Sequence, residues 1–99
     1  MEIVSVRDKR VKALVENTEL TKVKGFSALE TQRVAAMIAA IKVMTHPLQL
    51  RTVPEWRAHE LIPGQPGKWA LKVTPNFRLT FHADLVAQEV RLLDYEDYH

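Results

Sequence analysis

The sequence of 99 residues contains no cysteine, three glycines and no run of 18 consecutive apolar residues. Without cysteine, the protein cannot form a disulfide, a thiolate nucleophile or a cysteine-ligated zinc or iron–sulfur site. The glycines form no phosphate-binding loop, and neither an HExxH nor a GxSxG motif is present. Because no apolar run is long enough to span a bilayer or to act as a signal peptide, we expect a cytoplasmic protein with no membrane partner.

The length fits a single domain over residues 1–99, and the 46% hydrophobic and 26% charged content is typical of a globular fold. The net charge of +2 conceals a gradient. Residues 1–78 carry 13 Lys and Arg and 7 Asp and Glu, a net charge of +6, whereas residues 79–99 have a net charge of −4. This pattern predicts a positive surface for a polyanion with carboxylates placed in one region, although such clustering also arises by chance.

The first half of the sequence predicts one short strand followed by two helices. Three β-branched residues, Ile3, Val4 and Val6, indicate the strand. Apolar residues at helical spacing predict the first helix over residues 7–16. Asp8 is expected in the first turn of this helix, where the helix dipole favours an acidic side chain.

The second helix has both a start signal and a stop signal. Ser27 and Glu30 have the spacing of a capping box, and the His46-Pro47 step predicts that the helix ends near Met44. Four alanines within it favour the helical state. The residues expected on its buried face are Leu29, Val34, Met37, Ile38, Ala40, Ile41 and Met44.

The second half changes to a period of two, which is typical of strands. The predicted strands cover residues 57–62, 68–73, 77–82 and 89–93, with a turn at Pro63-Gly64-Gln65-Pro66-Gly67 and an acidic, aromatic tail over residues 94–99. The resulting order, β-α-α-β-β-β-β, predicts an α+β fold in which two helices pack on one face of a twisted, mainly antiparallel sheet.

Four basic or imidazole side chains alternate with the predicted core positions, so we expect them on the sheet face that the helices leave open: Lys68, Lys72, Arg78 and His82. An arginine in the middle of a strand is suited to bind a phosphate through two parallel hydrogen bonds. The alternative for Arg78 is a surface ion pair with Asp94 or Glu96. The two lysines are equally compatible with plain solvation. Trp56 and Trp69 are expected to pack the sheet against the helices.

The four histidines lie at positions 46, 59, 82 and 99, and none has metal-ligand spacing from another, so we predict no metal or cofactor. His59 is either a structural residue or a catalytic one. His99 ends the printed sequence, where its own carboxylate and Asp97 favour the imidazolium form. It is therefore either a proton donor for a leaving group or a solvent-exposed terminal residue.

Four ordered segments resemble one protein family: Trp56-Arg57-x-His59-x-Leu61, Gly67-x-Trp69, Asn76-Phe77-Arg78-Leu79-Thr80-Phe81 and Asp94-Tyr95-Glu96-Asp97-Tyr98-His99. They are similar to the HigB "killer protein" branch of the RelE/ParE toxin superfamily. The motifs cover residues 54–99, and the first half resembles the family in its strand-helix-helix order.

The resemblance implies the toxin of a type II toxin–antitoxin pair, a ribosome-dependent endoribonuclease that cuts mRNA in the A site without a metal. The ribose 2′-hydroxyl attacks the adjacent phosphate and leaves a 2′,3′-cyclic phosphate. Arg78 would stabilise charge on that phosphate. His99 would act in acid–base catalysis, with Asp97 orienting it and Tyr98 positioning the nucleotide.

The remaining expectations concern RNA contacts and partners. The family histidine that precedes the turn falls on His59, and we expect Arg57, Lys68 and Lys72 to bind RNA. The implied partners are the ribosome, mRNA and a HigA-like helix-turn-helix antitoxin, with operator DNA bound only through the antitoxin complex.

Two positions depart from the family pattern. Ile62 stands where many relatives have a functional lysine, and Thr74 stands where some have a basic residue. Lys68 and Lys72 are candidate substitutes for the missing charges. Because other superfamily members inhibit gyrase on the same fold, the alternative is a gyrase-directed or otherwise non-nucleolytic binding module.

Overall fold

The computed structural model describes residues 1–61 and 67–98. In these residues two helices pack on one sheet, whose strands lie in the order β1-β5-β4-β3-β2. The elements are β1 (Glu2–Ile3), α1 (Lys9–Glu16), α2 (Ala28–Val43), β2 (His59–Glu60), β3 (Lys68–Lys72), β4 (Phe77–Asp84) and β5 (Glu89–Asp97), with 3₁₀ turns at Pro47–Thr52 and Pro54–Trp56. β1 runs parallel to β5 and the other neighbours are antiparallel. The predicted α+β class and element order are confirmed.

Helix α1 begins later than the sequence pattern indicated. Asp8 is its N-cap and not a residue of its first turn, because the Asp8 backbone is extended and its carboxylate accepts from the backbone N–H groups of Arg10 (2.8 Å) and Val11 (3.1 Å). These are two of the N–H groups that a helix start leaves without a helical partner. The acidic side chain therefore favours the helix through direct hydrogen bonds as well as through the dipole.

The capping box of α2 is confirmed. The Ser27 hydroxyl accepts from the Glu30 backbone N–H at 3.0 Å, and the Glu30 carboxylate accepts from the Ser27 backbone N–H at 3.0 Å. The inward stripe consists of Thr31, Val34, Met37, Ile38 and Ile41. The expectation that Leu29 is buried is wrong, since 50% of it is exposed. Thr31 takes the inward position of the first turn instead, with its hydroxyl donating to the Ser27 carbonyl.

The core lies between this stripe, Val11 and Leu14 of α1, and the helix-side face of the sheet. The expected inward positions of β3 and β4 are confirmed, since Trp69, Leu71, Val73, Leu79 and Phe81 are all buried. Phe81 is fully buried. Trp56 is half-buried and packs against the edge of this core.

The strand predicted over residues 57–62 is much shorter. Only His59–Glu60 forms strand, whereas Arg57 closes the preceding 3₁₀ turn with its N–H bonded to the Pro54 carbonyl and a left-handed backbone (φ 47°, ψ 44°). A left-handed residue breaks the extended ladder, so pairing with β3 starts only beyond it. Ile62 and the 63–66 part of the predicted turn lie outside the described residues.

Strand β5 corrects the prediction of an acidic tail. It continues through Asp97, with Tyr95 opposite Leu79, Glu96 opposite Arg78 and Asp97 opposite Phe77. A β-bulge interrupts the ladder, because Leu92 has a positive φ of 56° and an extra residue separates the partners of Thr80 and His82. In the described part of the chain, neither α1 nor α2 has the length and hydropathy of a membrane-spanning helix.

Candidate functional site

The sheet face opposite the helices gathers the basic residues that the strand alternation predicted. Lys68 lies opposite His82, and Lys72 lies opposite Arg78. Directly opposed residues of an antiparallel pair project from the same face. We call this surface, made by Lys68, Lys72, Arg78 and His82, the basic face. Its predicted composition is confirmed by the register.

The centre of the basic face is less open than the sequence suggested. Ala70 and Thr80 form its middle row and both have 0% exposure. An ion pair lies beside them, with the Lys68 ammonium 3.0 Å from the Glu96 carboxylate. The Thr80 hydroxyl donates to the same carboxylate. Lys68 is therefore not a free cation, because Glu96 already neutralises it.

The electrostatics of Glu96 follow from this contact. Partial burial raises the pKa of Glu96, but hydrogen bonds from Thr80 and Lys68, together with the positive charges of Lys68 and Arg7, outweigh that effect. The net result is a Glu96 pKa below its ordinary value. The carboxylate is consequently ionised at neutral pH and places a negative charge among the cations of the basic face.

Arg78 is held by backbone carbonyls and, within the described residues, forms no ion pair with Asp94 or Glu96. Its Nη1 donates to the carbonyl oxygens of Thr74 (2.8 Å), Phe77 (3.1 Å) and Pro75 (3.3 Å). The expected alternative of a surface ion pair is thus not found. These bonds fix the guanidinium plane, while Nε and Nη2 make no hydrogen bond in residues 1–61 and 67–98. Such a pair of donors matches the geometry of a phosphate group.

The end of β5 lies against Arg78. The Tyr98 N–H donates to the Asn76 carbonyl at 2.8 Å, and the Tyr98 ring centre lies 5.7 Å from the Arg78 guanidinium carbon. Asp97 pairs with Phe77 and so belongs by register to the opposite face of the sheet. The structure therefore brings Arg78 and Tyr98 together, with Asp97 at the strand end on the neighbouring face. His99 lies outside the described residues.

His59 lies on the same side of the sheet as the basic face but away from Arg78. It is opposite Ala70, which is opposite Thr80, so Arg78 lies two strands across and two residues along the sheet, about 12 Å away at ordinary strand dimensions. Its Nδ1 is 2.8 Å from the Arg57 carbonyl. Because a carbonyl only accepts, Nδ1 carries the hydrogen, and Nε2 of the neutral ring is left able to accept a proton.

A cavity of about 610 Å³ adjoins the basic face where α2 meets the end of β3. Its charged lining residues are Arg33, Glu55, Arg57 and Lys72. The sequence reasoning missed Arg33, because an arginine on the outer side of an amphipathic helix resembles any solvated residue. Its Nη1 donates to the Val73 carbonyl at 2.7 Å, which directs it toward the sheet. No cluster of three His, Asp or Glu side chains suited to a metal ion occurs in the part of the chain that the structure describes.

The two helices on a five-stranded, mostly antiparallel sheet have the RelE/ParE-like toxin fold. The chain is similar to the YoeB/ParE toxin from Agrobacterium tumefaciens, with a TM-score of 0.60, 11% identity and 100% of each chain covered. A weaker similarity is to the solution structure of conserved hypothetical protein HP0892 from Helicobacter pylori, with a TM-score of 0.49, 17% identity and 99% and 96% of the two chains covered. No protein-family model matches the sequence, and no curated protein matches it significantly.

Proposed function

We propose that this chain is the toxin of a type II toxin–antitoxin system and that it is a metal-independent endoribonuclease cutting mRNA in the ribosomal A site. The observation that carries the proposal is the pairing of Arg78 with Tyr98 at one end of the basic face. A guanidinium that backbone carbonyls hold, with two donors that bond to no described residue and an aromatic ring beside it, suits a phosphate and its nucleotide. The fold shared with a toxin of the RelE/ParE type supports the same assignment.

The proposed reaction is an internal transfer at phosphorus. The ribose 2′-oxygen forms a bond to the adjacent phosphorus while the bond to the 5′-oxygen of the next nucleotide breaks, which yields a 2′,3′-cyclic phosphate and a 5′-hydroxyl. One group takes the 2′-hydroxyl proton and another donates a proton to the leaving 5′-oxygen. Arg78 stabilises the negative charge that grows on the non-bridging oxygens.

The remaining roles are assigned as follows. His59 is the candidate base, because its Nε2 is the nitrogen left to accept a proton. His99 is the candidate acid, with Asp97 tuning its protonation. Tyr98 positions the nucleotide by stacking, and Lys72, directly opposite Arg78, adds a phosphate contact.

The test is expression of the wild type, His99→Ala and the exposed α1 variant Lys12→Ala as matched control, followed by mapping of RNA ends on translated messages. Growth arrest and new ends inside codons are expected for the wild type and for Lys12→Ala. His99→Ala is expected to lose both. An absence of new ends in the wild type would contradict the nuclease assignment, and equal cutting by His99→Ala would contradict the assigned acid.

The proposed partner is a small helix-turn-helix antitoxin of the HigA type that covers the basic face. Co-expression with the adjacent open reading frame is expected to restore growth and to yield a stable complex. Operator DNA is expected to bind to the complex and not to the toxin alone. A shift of operator DNA by the isolated toxin would contradict this arrangement.

One observation favours a second candidate, a gyrase-directed or non-nucleolytic toxin. Glu96 neutralises Lys68 on the basic face, and position 62 carries isoleucine, so fewer cations face a phosphate than the family pattern implies. Inhibition of DNA supercoiling by purified gyrase, with no RNA ends in expressing cells, would support this alternative over the nuclease.

A further inference from the structure

Of the residues that line the cavity beside the basic face, the proposed chemistry uses only Lys72. The cavity lies where α2 meets the end of β3 and has a volume of about 610 Å³. We propose that this cavity is a second RNA subsite, which binds the nucleotide next to the scissile phosphate through its phosphate and its base. The position of that nucleotide relative to the cut rests on the proposed function, whereas the binding of a nucleotide does not.

The charges of the cavity favour a phosphate. Arg33, Arg57 and Lys72 line it against the single carboxylate of Glu55. In residues 1–61 and 67–98 none of these three cations forms an ion pair with a carboxylate. An arrangement of three cations from separate elements, with one anion, is suited to a group that carries one or two negative charges.

The orientation of Arg33 is set before any ligand arrives. Its Nη1 is bonded to the Val73 carbonyl at 2.7 Å, and this bond joins the outer side of α2 to the end of β3. The other guanidinium donors of Arg33 make no hydrogen bond within the described residues. An arginine restrained in this way loses little side-chain entropy when it binds a phosphate.

The apolar part of the cavity favours a base. Trp56 lines it and is half-buried, and Pro75 faces it from the turn that precedes β4. A half-buried indole that lines a cavity can stack on a nucleobase, because every base has a planar π-face. An acidic protein segment would use the cations but would gain little from this surface. A nucleotide uses the cations through its phosphate and the indole through its base.

The cavity and Arg78 share a wall. The 73–76 turn contributes Val73 and Pro75 to the cavity, and its Thr74 and Pro75 carbonyls hold Arg78. Lys72 belongs to both surfaces, since it lines the cavity and lies opposite Arg78. An RNA strand whose phosphate lies at Arg78 can therefore pass Lys72 and place its neighbouring nucleotide at Trp56.

The test is NMR titration of the purified full chain with 5′-AMP, inorganic phosphate and a short polyglutamate peptide. The sequence has two tryptophans, so the indole signal of Trp56 reports the cavity while that of Trp69, which is buried, is an internal reference for the fold. We expect 5′-AMP to shift the Trp56 signal and leave that of Trp69 in place. Arg33→Gln and Arg57→Gln are expected to weaken binding by about tenfold each, and Lys12→Gln is expected to bind as the wild type does.

Several outcomes would overturn the subsite. These are an unmoved Trp56 signal, equal affinity in Arg33→Gln, Arg57→Gln and the wild type, phosphate binding as tightly as 5′-AMP, or tighter binding of polyglutamate than of the nucleotide. The result is separable from the proposed function. Nucleotide binding without RNA cleavage would support the cavity as a nucleotide site and contradict the nuclease assignment. RNA cleavage without binding at Trp56 would support the nuclease and contradict the cavity as a nucleotide site.

Discussion

The hydroxyl of Tyr95, in β5, donates a hydrogen bond to the carboxylate of Glu30, in the first turn of α2. The Tyr95 ring also stacks on Phe77 with ring centres 5.0 Å apart, and the Arg10 guanidinium carbon lies 5.2 Å from its centre. One side chain thus joins both helices to the end of the sheet. The residues that follow Tyr95 in β5 lead to Tyr98, which contacts Arg78. The contacts of Tyr95 therefore fix the strand that positions Tyr98.

Tyr95→Phe is expected to destabilise the fold by about 1.5–3 kcal/mol, because it removes a hydrogen bond to a charged group and keeps the ring. Urea unfolding measures the change. Tyr98→Phe is the matched control, since it deletes the same hydroxyl from an exposed ring, and its effect is expected to stay within about 0.5 kcal/mol. Equal stability of Tyr95→Phe and the wild type would show that Glu30 finds water as an equivalent partner.

Glu30 also predicts a pH dependence. Partial burial raises the pKa of Glu30, but hydrogen bonds from Tyr95 and Ser27 and the charge of Arg10 more than offset this, so its pKa in the folded state is lowered. The contribution of ionised Glu30 to the unfolding free energy is therefore complete above its ordinary pKa of 4.5. This contribution is lost as the pH falls through the lower pKa of Glu30 in the folded state. Glu30→Gln is expected to flatten the fall in unfolding free energy below about pH 5.

The control for the pH dependence is Glu19→Gln, which removes an exposed carboxylate and is expected to keep the wild-type slope. Some slope remains in Glu30→Gln, because the pKa values of Asp8 and Glu96 are lowered as well. If the unfolding free energies of Glu30→Gln and the wild type fall equally steeply in acid, Glu30 does not contribute to the pH dependence.

Glu96→Gln is expected to strengthen RNA binding, because it removes a negative charge from the basic face and frees Lys68. The expected gain is roughly threefold to tenfold at low salt, equivalent to about 1 kcal/mol. The salt dependence is expected to steepen by up to about 0.7 in the log–log slope if Lys68 gains a phosphate contact. Fluorescence anisotropy with a labelled single-stranded RNA measures both, with Glu19→Gln as control. A weaker complex with Glu96→Gln would mean that Glu96 itself orders the RNA site.

Arg78→Lys keeps the charge but loses the planar pair of donors. We expect cleavage to slow by about 10- to 100-fold, the cost of a charge-assisted hydrogen bond to the transition state, while stability changes little. Single-turnover cleavage on programmed ribosomes measures the rate. Arg91→Lys, at the far end of the sheet with an exposed side chain, is expected to cut as the wild type does. Wild-type cleavage by Arg78→Lys would remove Arg78 from the proposed mechanism.

Features encoded within a few residues could be predicted from the sequence. The capping box of Ser27 and Glu30 depends on a spacing of three, and the inward alternation of Trp69 and Leu71 depends on a period of two. The shared face of Lys72 and Arg78 follows from the same alternation on neighbouring strands. Local geometry is sufficient for such features, because each involves only adjacent turns or one strand pair.

Features that depend on distant partners could not be predicted in this way. Residues 94–97 were expected as a tail but form strand, because β4 offers unpaired backbone groups to them. Arg57 is a local exception: it was expected in a strand, but its N–H bonds to the Pro54 carbonyl and its left-handed backbone ends a 3₁₀ turn. Arg33 belongs to the cavity only because α2 packs where β3 ends.

The sequence by itself determined the chemical groups of this protein, the positions of its helices and the alternation of β3 and β4. The tertiary structure decided which face receives the acidic residues of β5. Counting by twos from Val90 would place Glu96 on the buried face, but the bulge at Leu92 inserts one residue and turns Glu96 toward Lys68 and Thr80. The physical reason is that strand register depends on the pairing partner. A single extra residue moves every side chain after it to the other face of the sheet.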